Sequence, residues 1–117
     1  MAGLTTHILD VAAGHPAAGV RVELFRQVDE RWEHIRKLVT NADGRADEPI
    51  LRPEETELGV YELRFHVGDY FSGENASDDG RPFLDIVPVR FTIGDLTRHY
   101  HVPLLVAPWS YTTYRGS

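Results

Sequence analysis

Apolar and polar residues alternate with period two along most of this chain, the pattern of strands with one face in a core and the other facing outward. The clearest case is 60–67, where Tyr61, Leu63, Phe65 and Val67 share one face and Glu62, Arg64 and His66 the other. Val20, Val22 and Leu24 alternate with Arg21 and Glu23, and Val87, Val89, Phe91 and Ile93 alternate with Pro88, Arg90 and Thr92. The segment 32–40 is less regular, with Ile35 and Val39 on one face, but its Trp and β-branched content still predicts extended structure. Further strands are predicted at 5–11, 99–106 and 110–115.

Turn chemistry separates these segments at short intervals: Ala13-Gly14-His15-Pro16, Asn41-Ala42-Asp43-Gly44, Leu58-Gly59 and Gly94-Asp95. Many short strands with such spacing define an all-β sandwich or barrel. A single brief helix is expected around 68–74, followed by a polar loop over 75–82. Pro103 interrupts an otherwise regular strand, so a local irregularity is expected there.

The length of 117 residues suits one domain, 1–117, with one core, and excludes a two-domain enzyme. With 12 Lys+Arg against 18 Asp+Glu, and no basic run, nucleic acid is not an expected partner. The absence of cysteine removes disulfides, thiol nucleophiles and Cys-ligated zinc, and fits a reducing compartment. The first ten residues do not resemble a signal peptide, and the longest apolar run, 102–109, contains two prolines and falls far short of a membrane span of roughly 20 residues. A cytoplasmic protein without a membrane partner is expected.

Six histidines are the unusual chemical resource of the chain. On a strand, His99 and His101 project from the same face, an arrangement that presents two imidazoles to a metal or merely makes a polar face. His7 alternates with apolar neighbours and reads equally as a solvent-facing strand residue. Arg45 follows a turn dipeptide, where most arginines are solvated. The terminal Tyr114-Arg115-Gly116-Ser117 is either a frayed tail or an extension of the preceding strand. Nucleophile elbows, phosphate loops and zincin helices are missing, so the residues alone lead to an all-β domain with a surplus of imidazoles.

Several strings taken together carry a resemblance: Leu4-Thr5-Thr6-His7-Ile8-Leu9-Asp10, Gly14-His15-Pro16-Ala17, Asp43-Gly44-Arg45, Gly68-Asp69-Tyr70-Phe71, His99-Tyr100-His101-Val102-Pro103-Leu104-Leu105, and Ser110-Tyr111-Thr112-Thr113-Tyr114-Arg115-Gly116-Ser117. From end to end the chain resembles the 5-hydroxyisourate hydrolases, the transthyretin-related enzymes of urate degradation. The resemblance implies a transthyretin-like eight-stranded β-sandwich with one short helix, assembled as a homotetramer, a dimer of dimers, with active sites in a channel where the dimers meet. Carried over residue by residue, it puts catalytic roles on His7, Arg45, His101 and Ser117, while Tyr114, Arg115 and Gly116 shape or close the substrate site. His99 receives no catalytic role. Transthyretin itself shares the fold and lacks these histidines and this tail. The departures are Asn41 in the turn, Ala107-Pro108-Trp109 where Ser-Pro-Tyr or Ser-Pro-Phe is usual, and an enlarged 74–82 loop.

The reaction implied is hydrolysis of a ring amide of 5-hydroxyisourate, giving 2-oxo-4-hydroxy-4-carboxy-5-ureidoimidazoline. It needs an activated water, a donor for the oxyanion and a polar cradle; no cofactor or metal is required. Either His7 or His101 can take the proton from water, since imidazole titrates near pH 6.5. Arg45 offers fixed N–H donors to developing negative charge, and Ser117 orients water or substrate. The alternative is a non-catalytic transthyretin-like protein that holds a small planar ligand.

Overall fold

The computed structural model describes residues 3–72 and 82–117. Among them are eight strands: β1 Gly3–Asp10, β2 His15–Pro16, β3 Arg21–Val28, β4 Arg31–Val39, β5 Gly59–His66, β6 Ile86–Ile93, β7 His99–Ala107 and β8 Ser110–Thr113. A five-residue helix, α1 Val67–Phe71, follows β5, and a 3-10 turn covers Pro53–Glu55. The strands form two four-stranded sheets, ordered β2-β1-β7-β8 and β4-β3-β5-β6.

One core lies between the sheets, built from the inward half of each alternating pattern: Leu4 and Ile8 of β1, Tyr100, Val102, Leu104 and Val106 of β7, Val22 and Leu24 of β3, and Tyr61, Leu63 and Phe65 of β5. Complete burial of side chains such as Leu63 and Leu104 contributes about 1.5–3 kcal/mol each. On the other side of β5, Glu62 and His66 are also buried, because the outer face is roofed by its own side chains. Glu62 accepts from Arg64 at 2.7 Å and from Arg90 at 3.2 Å, and Glu23 pairs with His66 at 2.6 Å. The two arginines lie over the rings of Phe25 and Trp32.

The less regular segment proves to be β4, and its face assignment needs correction. The β3–β4 register shifts between Leu24 and Phe25, which pair with Arg36 and His34, so Ile35 is the extra residue of a bulge. Beyond it the alternation changes phase. Ile35 and Leu38 pack on the core, whereas Val39, predicted to share a face with Ile35, is exposed.

β7 runs through Pro103 without a break, pairing in parallel with all of β1. The expected irregularity falls on the β8 side. That ladder ends at Leu104 and Thr113, and the Pro103 carbonyl takes the Thr113 hydroxyl at 2.8 Å. The helix begins at Val67, one residue earlier than predicted, and ends at Phe71. Ser72 already leaves the helix in an extended conformation, and residues 73–74 of the predicted helix and all of the 75–82 loop except Pro82 lie outside the described residues. The two-residue β2 and the 3-10 turn had no signal of their own in the hydrophobic pattern. Among the described residues no helix is long and apolar enough to cross a membrane.

Candidate active site

The site starts from the parallel pairing of the first strand with the seventh. On β1, Leu4, Thr6 and Ile8 point into the core, which turns Thr5 and His7 to the outer face. On β7, Tyr100 and Val102 are inward and His99 and His101 outward. The register sets Thr5 against His101 and Gly3 against His99, so one hydroxyl stands between two imidazoles. Thr5 Oγ1 is 2.8 Å from Nδ1 of His101 and 2.9 Å from Nε2 of His99. His7 follows two residues along the same face, opposite Pro103.

Arg45 reaches this face because of the turn before it. Asn41 accepts the backbone N–H groups of Asp43 at 2.9 Å and Arg45 at 3.1 Å, while Gly44 N–H donates to the Asn41 carbonyl at 2.9 Å. Gly44 takes φ 74° and packs so closely on the Ile8 carbonyl that a Cβ there would collide with it. Ile8 N–H donates to the Gly44 carbonyl at 2.8 Å, and His7 and Arg45 form an antiparallel bridge. The predicted turn thus delivers Arg45 beside His7, and Asn41 organises it.

The tail is not frayed from the sheet. Past Thr113 it keeps the antiparallel register of β8, which brings Gly116 opposite His101, and Gly116 N–H donates to the His101 carbonyl at 2.8 Å. A Cβ on Gly116 would overlap Cδ2 of His101 and lie 3.1 Å from Cγ. The bare backbone therefore packs directly on the imidazole. Ser117, Gly116 and Arg115 border a groove of about 380 Å³ with Arg98 and His99. Arg115 sets its guanidinium 4.3 Å from the centre of the Tyr100 ring, and Tyr100 belongs to the inward face of β7. A larger cavity, about 510 Å³, opens between β6 and the tail, with Phe91, Tyr100 and Tyr114 in its wall and His101 at its edge.

Burial is the largest influence on His101 and pushes its pKa below the ordinary imidazole value of 6.5. The charges of Arg45, His7 and His99 act in the same direction, in that order, and hydrogen bonding to the Thr5 backbone opposes them. His101 is consequently neutral at pH 7, with an imidazole able to accept a proton. Thr5 was not among the predicted site residues. Its period-two spacing from His7 was visible, but its contact with residues 94 and 96 positions away depends on strand order. Among the described residues no group of three or more His, Asp or Glu is placed to hold a metal ion. His99 and His101 share the Thr5 hydroxyl instead.

A two-sheet sandwich of this strand order, with imidazoles and a guanidinium on the outer face of one sheet, defines a transthyretin-like fold equipped with acid–base groups. The HIUase/Transthyretin family model matches residues 4–116, and the chain belongs to that family. It is 56% identical over 115 residues to the 5-hydroxyisourate hydrolase of Deinococcus radiodurans, covering 98% of this chain and 96% of that one. The solved 5-hydroxyisourate hydrolase of Klebsiella pneumoniae is 36% identical, covers 100% of both chains and superimposes with a TM-score of 0.81. Sea bream transthyretin in complex with thyroxine is 29% identical with a TM-score of 0.86, covering 97% of this chain and 94% of that one. Within a solved (S)-allantoin synthase, 44% identical with a TM-score of 0.88, the match takes in 99% of this chain but only 44% of the longer one.

Proposed function

We propose that this chain, as a single hydrolase domain, hydrolyses 5-hydroxyisourate to 2-oxo-4-hydroxy-4-carboxy-5-ureidoimidazoline. The observation that carries the reading is the gathering of neutral His101 with His7 and Arg45 on one face. Water adds to the ring carbonyl as His101 takes its proton, the C–N bond breaks, and the leaving nitrogen recovers a proton from an imidazole. Arg45 faces the oxyanion that forms on the attacked carbonyl. His7 supplies the second imidazole, and Ser117 orients water or substrate at the edge of the site. Tyr114 and Gly116 shape the cleft, and Arg115 contributes by anchoring the tail on Tyr100.

The same reading makes the protein a homotetramer, a dimer of dimers, whose histidine faces meet across a channel. Its support is that this face is covered by neither sheet of the chain itself, and that Trp109, Tyr111 and Tyr114 are exposed large apolar residues. A chain without cysteine suits a reducing compartment, and we place the reaction in the cytoplasm.

The test is a coupled assay in which urate oxidase generates 5-hydroxyisourate and its ultraviolet absorbance is followed with this protein or its His101→Ala variant. Accelerated decay that falls roughly 10²–10⁴-fold in the variant is expected for a general base. Decay at the spontaneous rate with the correctly folded protein would favour the ligand-holding alternative.

A further inference from the structure

We infer that Thr5 is a positioning residue of this site, its single hydroxyl proton tying the tautomer of His101 to that of His99. The inference rests on the hydrolase reading above. A threonine hydroxyl has one proton to give and lone pairs to receive others. Its oxygen lies 2.8 Å from His101 Nδ1 and 2.9 Å from His99 Nε2, so it can donate to only one of the two rings at a time. Because Nδ1 of His101 is engaged with Thr5, Nε2 is the ring nitrogen left for chemistry. Gly116 closes on the ring from the tail, so the imidazole is held at Nδ1 and along its Cγ–Cδ2 edge.

Two arrangements give the hydroxyl proton to one of the rings; in a third, both rings donate to the two lone pairs of Oγ1. In the first, His101 donates from Nδ1 to Thr5 and Thr5 donates to a bare His99 Nε2; His101 Nε2 is then free to take a proton from water. In the second, His99 donates from Nε2 to Thr5 and Thr5 donates to His101 Nδ1; the His101 proton then sits on Nε2, where it can only be given away. A doubly protonated His99 is a donor at both nitrogens and excludes the first arrangement. His99, left without a role by the resemblance, thereby limits which tautomers of His101 the Thr5 hydroxyl can support. The charged and titratable groups acting on His101 are Arg45 from the turn, His7 from β1 and His99 from its own strand. Around His99 stand Arg98, Arg115 and Ser117.

The test compares Thr5→Val, which keeps the shape and removes the hydroxyl, with Thr5→Ser, which keeps the hydroxyl. Thr5→Val should lower kcat roughly 10- to 100-fold, as outer partners that orient imidazoles do elsewhere. KM should stay within about twofold, the sign of an interaction that acts on the chemical step. Thr5→Ser should recover most of the loss. Nitrogen-15 NMR of the histidine rings, recorded without substrate, should show the His101 Nδ1/Nε2 pattern shifted in Thr5→Val and near wild type in Thr5→Ser. Wild-type kcat in Thr5→Val, equal impairment of the two variants, or an unchanged His101 pattern would overturn the inference. If Thr5→Val does not fold, His99→Leu at the exposed partner removes the same link, and an unchanged His101 pattern in that variant is equally fatal. A wild-type protein that leaves 5-hydroxyisourate at its spontaneous decay overturns the hydrolase reading, while the nitrogen spectra judge Thr5 independently.

Discussion

Adding one methyl group at Gly116 should remove most of the activity while leaving the fold intact. The Cβ of Gly116→Ala would overlap Cδ2 of His101 and stand 3.1 Å from Cγ and 3.3 Å from Cβ. Carbon atoms pack best at about 3.5–4.0 Å, so relief requires the ring or the tail to move by roughly 1 Å. The Thr5 bond at 2.8 Å resists motion of the ring, and the Gly116 to His101 backbone bond at 2.8 Å resists motion of the tail. Whichever gives way, His101 or the cleft wall is misplaced by an amount that costs catalysis about 10²-fold. Gly116 lacks a positive φ, so backbone strain adds nothing and the effect is steric. The coupled urate oxidase assay measures the loss, and thermal unfolding checks that the midpoint changes little. In a His101→Ala background there is no ring to displace, so Gly116→Ala should have almost no further effect. Full activity of Gly116→Ala, or an equal loss in both backgrounds, would refute the reasoning.

The depressed pKa of His101 fixes the direction of two pH effects. Neutral His101 persists below pH 6.5, so the acid limb of kcat/KM should lie below that value. Removing the Arg45 charge in Arg45→Gln should move the limb upward, though burial keeps it short of the free imidazole value; an unmoved limb in the pH profile would show that Arg45 does not act on His101. By linkage the unfolded chain binds the His101 proton first, so this residue lowers stability as pH falls from 6.5 toward its folded value. Extending the chain beyond Ser117 should damage catalysis more than extending it before Met1, because Ser117 borders the groove with His99; equal activities of the two fusions would remove the tail from the site.

Strand identity was legible wherever apolar and polar residues alternated regularly, as they do from Tyr61 to His66 in β5. β4 was not legible in phase, since a single extra residue at Ile35 reverses which positions face inward. The same limit applies to the site. His7, Arg45 and His101 became candidates through motif resemblance, and the turn chemistry at 41–44 explains why Arg45 can stand beside His7. Thr5 and the packing of Arg115 on Tyr100 were not visible, because they depend on β1 lying parallel to β7 and on the tail holding β8's register. Local periodicity says which residues share a face of one strand; only the sheet order says what lies across from them.

Thr5 and Thr6 separate these two kinds of role within one dipeptide. Both hydroxyls meet β7, yet alternation sends them to opposite faces. Thr6, only 1% exposed, donates to the Val102 carbonyl at 2.6 Å in the core, while Thr5 meets the two imidazoles outside. Thr6→Val should therefore cost about 1 kcal/mol of stability, the net worth of a hydrogen bond. Its kcat should stay at the wild-type level, because the inward face holds the sheets together and contributes no group to the reaction. Denaturant unfolding and the coupled assay, run on both valine variants, measure the contrast. Equal losses of kcat in Thr5→Val and Thr6→Val would mean that the sheet transmits damage from either face, and the division of labour between core and site would then fail as an explanation of this strand.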